Sequence, residues 1–225
     1  MAKIKFGMMM TDARGKLGGQ VFSKNRAGAY IRTKVTPVNP QTISQAAVRG
    51  NLATLSSGWN SLTAEQIAQW NNSVEDWQST DIFGDIKKPT GKNLFVKLNI
   101  NLLNNNLPTI DTPQAKIELP ALNHVLAQID NVANTLILGD LPVFASGKYQ
   151  IEACPAVPIG VNYVKNKFRV INSVTIATTD DLDITTYYVN RFGALPTSGN
   201  VFFRIRAIGP NGQAGVPFIV KAQFD

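Results

Sequence analysis

The stretch Val201-Phe202-Phe203-Arg204-Ile205-Arg206-Ala207-Ile208 decides the fold class that the sequence predicts. Successive side chains of a β-strand point to opposite faces of its sheet. One face of this stretch carries only apolar side chains, those of Val201, Phe203, Ile205 and Ala207. The other face carries Arg204 and Arg206. This alternation predicts a strand that packs one face on a core and turns the other toward solvent.

Short β-prone runs of this kind recur from about residue 119 onward, and glycines, prolines and asparagines separate them. We predict strands at 122–129, 134–139, 148–154, 160–164, 168–178, 183–190, 200–208 and 216–223. So many short strands are typical of a β-sandwich of immunoglobulin or fibronectin type III kind. Cys154 is the only cysteine, so the bridging pair of an antibody domain is excluded. The wider sandwich class remains, and a small barrel stays open.

Before these strands, the sequence predicts a helical section. Thr42-Ile43-Ser44-Gln45 has the form of a capping box, and an apolar stripe follows it at helical spacing. We predict a helix over about 43–59 from this pattern. The stripe consists of Val48, Leu52, Leu55 and Trp59.

A second capping box, Thr63-Ala64-Glu65-Gln66, predicts a short helix to about Asn71. We expect the two helices to form a hairpin with Trp59 and Trp70 packed between them. Residues 73–90 form a predicted connector, and a third helix is expected over about 90–103, where asparagines weaken helix propensity.

The net charge of +7 lies in one segment of the chain. Residues 1–40 contain eight basic residues and a single acidic one, Asp12, whereas the 14 basic and 14 acidic residues after them cancel. Blocks of this kind commonly serve as interaction arms. The many glycines of the segment favour an extended, adaptable backbone, and its β-type residues suit an arm that docks as a strand on a neighbour.

Two kinds of partner fit this arm. Basic and aromatic side chains together bind nucleic acid without sequence preference, and the same side chains pair with acidic patches of a protein. The alternation in 29–35, which puts Tyr30, Arg32 and Lys34 on one face, favours protein contacts. The predicted partner-binding residues are Lys16, Lys24, Arg26, Tyr30, Arg32 and Lys34.

Catalytic and cofactor-binding patterns are weak, so we predict no enzyme and no cofactor. His124 is the only histidine, which excludes every site that needs two. The acidic group Asp180, Asp181 and Asp183 lacks the ligand spacing of a calcium loop and is interpreted as a solvated turn. The glycine-rich pieces 15–19 and 209–215 lack P-loop spacing. No run reaches the roughly 18 apolar residues of a membrane span, so we expect cytosolic synthesis and no membrane partner.

The residues from 15 to 71 resemble the N-terminal module of small virion structural proteins of tailed bacteriophages and prophages. The resemblance rests on 18–32, on 35–42, on 62–66 and on Trp70-Asn71, with an isoleucine at position 67 where that pattern commonly has a basic residue. Further matching residues are Gln45, Arg49, Leu55, Ser56 and Trp59. The module covers about a quarter of the chain and commonly precedes a β-rich region.

The resemblance implies a structural subunit present in many copies, either on the capsid or in the head-tail neck or tail. Its partners would be other virion proteins (capsid, portal or neck subunits) in a homo- or hetero-oligomeric assembly. The alternatives are a nucleic-acid-binding packaging protein and a host-surface-binding module. We thus predict an α+β multidomain chain with a basic extended arm at 1–40, a helical module at 41–110 and a β-sandwich domain at 119–225.

Overall fold

The computed structural model describes residues 2–130, 135–178 and 181–224. The chain is mixed α/β and divides into two compact units, Met1–Val96 and Lys97–Asp225, with the division inside a helix. The predicted limits at 1–40, 41–110 and 119–225 stay predictions. Each unit is described below by itself.

The first unit begins with a four-stranded antiparallel sheet. Its strands are β1 (Ala2–Lys3), β2 (Gly15–Leu17), β3 (Gln20–Asn25) and β4 (Gly28–Thr33), in the order β1-β4-β3-β2. The prediction of an extended arm is therefore wrong for this segment, which folds on itself. Two tight turns explain the difference, at Gly18-Gly19 between β2 and β3 and at Arg26-Ala27 between β3 and β4. Gly18 has φ of 54°, a left-handed conformation that glycine adopts without strain.

Helices and a small hairpin complete the first unit. They are α1 (Ile43–Ser61), α2 (Ala64–Asn72), a 3₁₀ helix (Ser73–Trp77), β5 (Ser79–Thr80), β6 (Ile86–Lys87) and the start of α3 (Gly91–Asn104). The three predicted helices are confirmed within two residues at each end. The predicted connector at 73–90 contains the 3₁₀ helix and the β5–β6 hairpin.

The two predicted capping boxes differ in how far they form. At α2 both bonds are present, because Thr63 Oγ1 accepts from the Gln66 amide at 3.2 Å and Gln66 Oε1 accepts from the Thr63 amide at 2.9 Å. At α1 the Thr42 hydroxyl accepts from the Gln45 amide at 3.3 Å, but the Gln45 side-chain oxygen is buried without a hydrogen-bond partner. The first box is thus half formed.

The aromatic core of the first unit centres on α3. Trp59 and Trp70 both pack on Phe95, with ring centroids 5.6 and 5.4 Å apart. We expected the two tryptophans to pack between α1 and α2, and the structure adds the third helix to this contact. Gly91 lies where α3 approaches α2 closely, since a Cβ there would lie 3.1 Å from the backbone nitrogen of Asn71.

The second unit contains two antiparallel sheets that share one core. One sheet has the order β11-β8-β7 and the other β10-β9-β12-β13. The elements are β7 (Leu126–Asp130), β8 (Thr135–Gly139), β9 (Phe144–Ala153), β10 (Arg169–Ile176), β11 (Leu182–Asp183), α4 (Thr185–Phe192), β12 (Gly199–Ile208) and β13 (Phe218–Phe224). Both sheets contribute side chains to a single hydrophobic cluster.

The alternation that predicts β12 is confirmed. Val201, Phe203, Ile205 and Ala207 are all buried in the shared core. Arg204 and Arg206 lie on the opposite face, where both are close to the Glu152 carboxylate and the Arg204 guanidinium stacks over Phe168 at 4.7 Å.

Two predicted strands are wrong. Residues 160–164 form a turn and a loop, and most of 183–190 forms α4. The burial pattern explains α4, since the core-facing residues Ile184, Tyr188 and Phe192 recur every four positions. A strand would place Thr186 and Asn190 on the same face as these residues, but both are exposed. This tertiary contact overrides the β propensity of the threonines and tyrosines.

We expect Tyr188→Ala to destabilise the protein by about 3–5 kcal/mol, because it removes a fully enclosed aromatic ring. Tyr188 is 1% exposed and its ring centroid lies 5.1 Å from that of Phe192. The neighbouring Tyr187, 42% exposed, is the matched control, and its alanine variant is expected to lose less than about 1 kcal/mol. Urea unfolding of both variants measures the difference, and equal losses would contradict the assignment of α4.

Candidate interaction surface of the N-terminal sheet

Residues 2–54 form strands and the first part of a helix, but they contribute no buried side chain to a hydrophobic core. None of residues 2–54, all of which the structure describes, is buried, and Leu55 is the first buried residue. Small sheets are stable in water when one face packs on other structure. The β1–β4 sheet and the first half of α1 therefore present surfaces that the chain itself covers only in part.

Cross-strand pairing defines the two faces of the β1–β4 sheet. Paired residues of antiparallel strands lie on the same face. Lys16 pairs with Val21 and Val21 pairs with Arg32, so these three side chains form one row. We call this side of the sheet the cationic face. It also includes a second row, formed by Lys3, Tyr30 and Ser23.

The opposite side of the sheet is mainly apolar, and we call it the apolar face. Phe22 and Ile31 pair at its centre, and Lys24 pairs with Ala29 beside them. Leu17, paired with Gln20, lies on the same face and is exposed. The sheet therefore separates two of the predicted partner-binding cations, because Lys16 and Lys24 point to opposite sides.

The six predicted partner-binding residues occupy different places. Lys16, Tyr30 and Arg32 share the cationic face, Lys24 lies on the apolar face, and Arg26 is in the tight turn between β3 and β4. Lys34 lies just beyond β4, where its amide donates to the Gly19 carbonyl at 2.8 Å. Their role in binding stays a prediction.

The basic residues of the N-terminal segment fall into two electrostatic classes. Lys3, Lys5 and Arg14 form ion pairs with Asp81, Asp85 and Asp12 at 2.5, 2.9 and 3.4 Å. The other five form no ion pair with any described residue, and all five are exposed: Lys16, Lys24, Arg26, Arg32 and Lys34. The unpaired cations are the same five that the sequence singles out for partner binding.

Lys3 links the sheet to the β5–β6 hairpin. Its ammonium donates to Asp81 Oδ2 at 2.5 Å and to the Ala27 carbonyl at 2.8 Å, and the Asp81 side chain is only 7% exposed. Asp81 also accepts from the amides of Phe83 and Asp85. The Lys3 ammonium is the main cause that lowers the pKa of the Asp81 carboxyl below its ordinary value. The Lys3 interaction was not expected from the sequence, because 78 residues separate the two partners.

The apolar stripe of α1 is covered at one end. Leu55 is 4% exposed, whereas Leu52 and Val48 are 49% and 58% exposed. The helix carries one charged residue, Arg49, along its 19 residues. Fully exposed methionines at positions 8 and 9 add to the uncovered apolar surface of the first unit.

Other candidate sites have locations that the sequence did not predict. His124 is exposed and lies just before β7, outside the strand in which we expected it. Asp183 accepts the Thr185 amide at 2.8 Å, and Asp180 lies outside the described residues. Within 2–130, 135–178 and 181–224, no cluster of histidine, cysteine and acidic residues has the makings of a metal site. In those ranges no helix has the length and apolar character of a membrane span.

The loop between β9 and β10 is anchored by its own small core. Val157, Val164 and Phe168 of the loop pack with Cys154 and Phe202. Tyr163, which we predicted inside a strand, lies in this loop and is 74% exposed. The loop therefore holds an aromatic side chain outward from a fixed base.

No family model matches the chain, and no curated protein matches it. A solved structure described as an Fn3-like protein from Clostridium thermocellum is similar with 13% sequence identity and a TM-score of 0.31. The match covers 45% of this chain and 88% of that chain. A likeness of this size establishes no common fold.

We expect Lys3→Met to raise the pKa of Asp81 toward its ordinary value and to speed hydrogen exchange in 79–87. A carboxyl with a lowered pKa contributes stability above its unfolded pKa, and this contribution disappears as the pH falls through the folded value. In the unmodified protein the hairpin should therefore loosen only below about pH 4. NMR titration and hydrogen exchange measure both effects.

Lys5→Met is the control for this prediction, because the Lys5–Asp85 pair is more than half exposed on both sides. Exposed ion pairs contribute little to stability. If Lys5→Met loosened the hairpin as much as Lys3→Met, the special role of Lys3 would be wrong.

Proposed function

We propose that this chain is a structural subunit of a tailed-bacteriophage virion, where it docks onto neighbouring virion proteins through its N-terminal sheet. The proposal covers a position on the capsid and a position in the head-tail neck or tail. Two observations support it, the resemblance of 15–71 to virion proteins and the lack of any buried residue in 2–54. The lack of burial carries the docking part of the proposal, because it is observed in the structure of this chain itself.

The N-terminal sheet lacks the full apolar burial that stabilises most sheets. Residues 2–33 form four paired strands, but the half-buried side chains at their centre gain little from the hydrophobic effect. A neighbouring subunit that covers one face would supply this missing burial. In a symmetric particle the same surface would be covered in every copy.

We further propose that the second unit is a β-sandwich of fibronectin type III kind. The strands of its three-stranded and four-stranded sheets, β11-β8-β7 and β10-β9-β12-β13, surround one core, and this supports the proposal. Numbered along the chain, β7 to β13 would correspond to strands A, B, C, C′, E, F and G of a fibronectin type III domain. In a virion, such a domain serves as a rigid module carried by the docked N-terminal unit.

Deletion of residues 2–40 tests the docking. We expect the truncated chain to be at least tenfold depleted from purified particles. It lacks the N-terminal sheet but keeps the aromatic core around Phe95 and the core of the second unit. Quantitative mass spectrometry of particles assembled with tagged full-length or truncated chain measures the ratio. Thermal unfolding of the truncated chain is the control for its folding.

Incorporation of the truncated chain at full occupancy would contradict the proposal. The nucleic-acid alternative predicts a different outcome, in which the full chain binds duplex DNA with an affinity that falls by orders of magnitude as salt increases.

A second candidate function, contact with a host surface, is favoured by Tyr163. An exposed aromatic ring on an anchored loop suits stacking on a sugar or packing on a receptor. Tyr163 lies within 160–164, where the sequence predicted a strand, and the loop that forms there instead leaves its ring exposed.

We expect Tyr163→Ala to lower the binding of particles to host cells several-fold without changing the incorporation of the subunit. Tyr187→Ala, which also removes a partly exposed tyrosine, is the matched control and should bind normally. Adsorption of purified particles to cells measures the effect. Equal adsorption of the Tyr163 variant and the unmodified particles would remove this candidate.

A further inference from the structure

The cationic face has a definite arrangement of charge. Lys16 and Arg32 are paired to Val21 from opposite sides, so two strand spacings, about 10 Å, separate their Cα atoms. Both side chains are exposed, and Val21 between them is half-buried. Tyr30 lies in the adjacent row on the same face. The face therefore presents one unpaired cation, Lys16 or Arg32, on each side of an apolar centre.

The acidic residues of the first unit form no described ion pair with Lys16 or Arg32. Of these, Asp12, Glu75, Asp81 and Asp85 already bind Arg14, Lys88, Lys3 and Lys5. The remaining two, Glu65 and Asp76, belong to α2 and the 3₁₀ helix, and no described ion pair joins them to the sheet. The charges of Lys16 and Arg32 are thus not balanced by any described ion pair within the unit.

We infer that the cationic face binds an acidic protein surface whose carboxylates flank an apolar patch. This inference rests on the proposed function and names the chemistry of the partner that the N-terminal sheet receives. The Arg32 guanidinium suits a carboxylate with two parallel hydrogen bonds, and the Lys16 ammonium acts as a point charge. Val21 contacts the apolar patch between the carboxylates, and Tyr30 lies beside this contact in the adjacent row.

The same geometry argues against nucleic acid as the occupant. Proteins that bind nucleic acid without sequence preference use a continuous positive groove with aromatic side chains free to stack on bases. Here the row is short and has a valine at its centre, and Tyr30 is half-buried in the sheet. Lys24, which would extend a basic track, lies on the apolar face.

The position of Lys24 gives a sharp experiment. Lys16→Glu, Arg32→Glu and Lys24→Glu change the net charge of the same sheet by equal amounts, but only the first two act on the cationic face. Binding of the full chain to immobilised poly-L-glutamate and to a short DNA duplex is measured for each variant. Incorporation into particles is measured in parallel.

We expect Lys16→Glu and Arg32→Glu each to weaken poly-L-glutamate binding and incorporation at least tenfold, while Lys24→Glu changes either by less than twofold. Arg32→Lys, which keeps the charge and loses the forked geometry, should weaken binding severalfold. Circular dichroism of each variant shows whether the sheet is retained, and the charge-conserving Arg32→Lys keeps the test valid if a glutamate variant unfolds.

Two results would overturn the inference. One is an equal loss for all three glutamate variants, and the other is tighter binding to DNA than to poly-L-glutamate. A failure of the proposed function alone gives a different result. Poly-L-glutamate binding would stay face-specific, but neither the glutamate variants nor deletion of 2–40 would change incorporation into particles.

Discussion

An antiparallel sheet gains its stability in water largely by burying at least one face, and the two units of this chain differ in how far they do so. In the second unit two sheets cover each other, so Leu138, Ile151 and Phe203 are fully buried. In the first unit the four N-terminal strands form one backbone-paired sheet, but no side chain of theirs is buried. Backbone pairing gives this sheet its shape without the apolar burial that stabilises most sheets.

The ion pairs divide the N-terminal cations into those that hold the fold and those that we propose for recognition. Lys3 serves the fold, because its ammonium satisfies a nearly buried carboxylate and the carbonyl of a tight turn. Lys16 and Arg32 remain exposed and unpaired among the described residues, so they contribute little to stability and keep their full charge for a partner. Substitution of Lys3 should loosen the first unit, whereas substitution of Lys16 or Arg32 should change only what the unit binds.

Local sequence signals predicted much of the fold. Caps and apolar spacing located α1, α2 and α3, and alternation located β12 with its buried face, since these patterns depend on nearby residues. The strand at 183–190 was wrong because the core contacts of Tyr188 depend on which segments meet in space. The extended arm was wrong although Gly18-Gly19, between two β-prone runs, is a local signal of a hairpin turn. For the candidate site, composition identified the basic residues, but only cross-strand register separated Lys24 from Lys16.

This separation matters because net charge alone describes long-range attraction and not the geometry of a complex. Opposite charge steers a partner toward the basic unit from any direction, and salt weakens that attraction. A specific complex also needs carboxylates placed opposite Lys16 and Arg32 and an apolar surface opposite Val21, contacts that only one face of the sheet offers. A partner that binds on the other face would meet Phe22, Ile31 and one lysine, a surface that selects for apolar contact. The two faces of one small sheet thus differ in chemistry, one with cations around an apolar centre and the other mainly apolar.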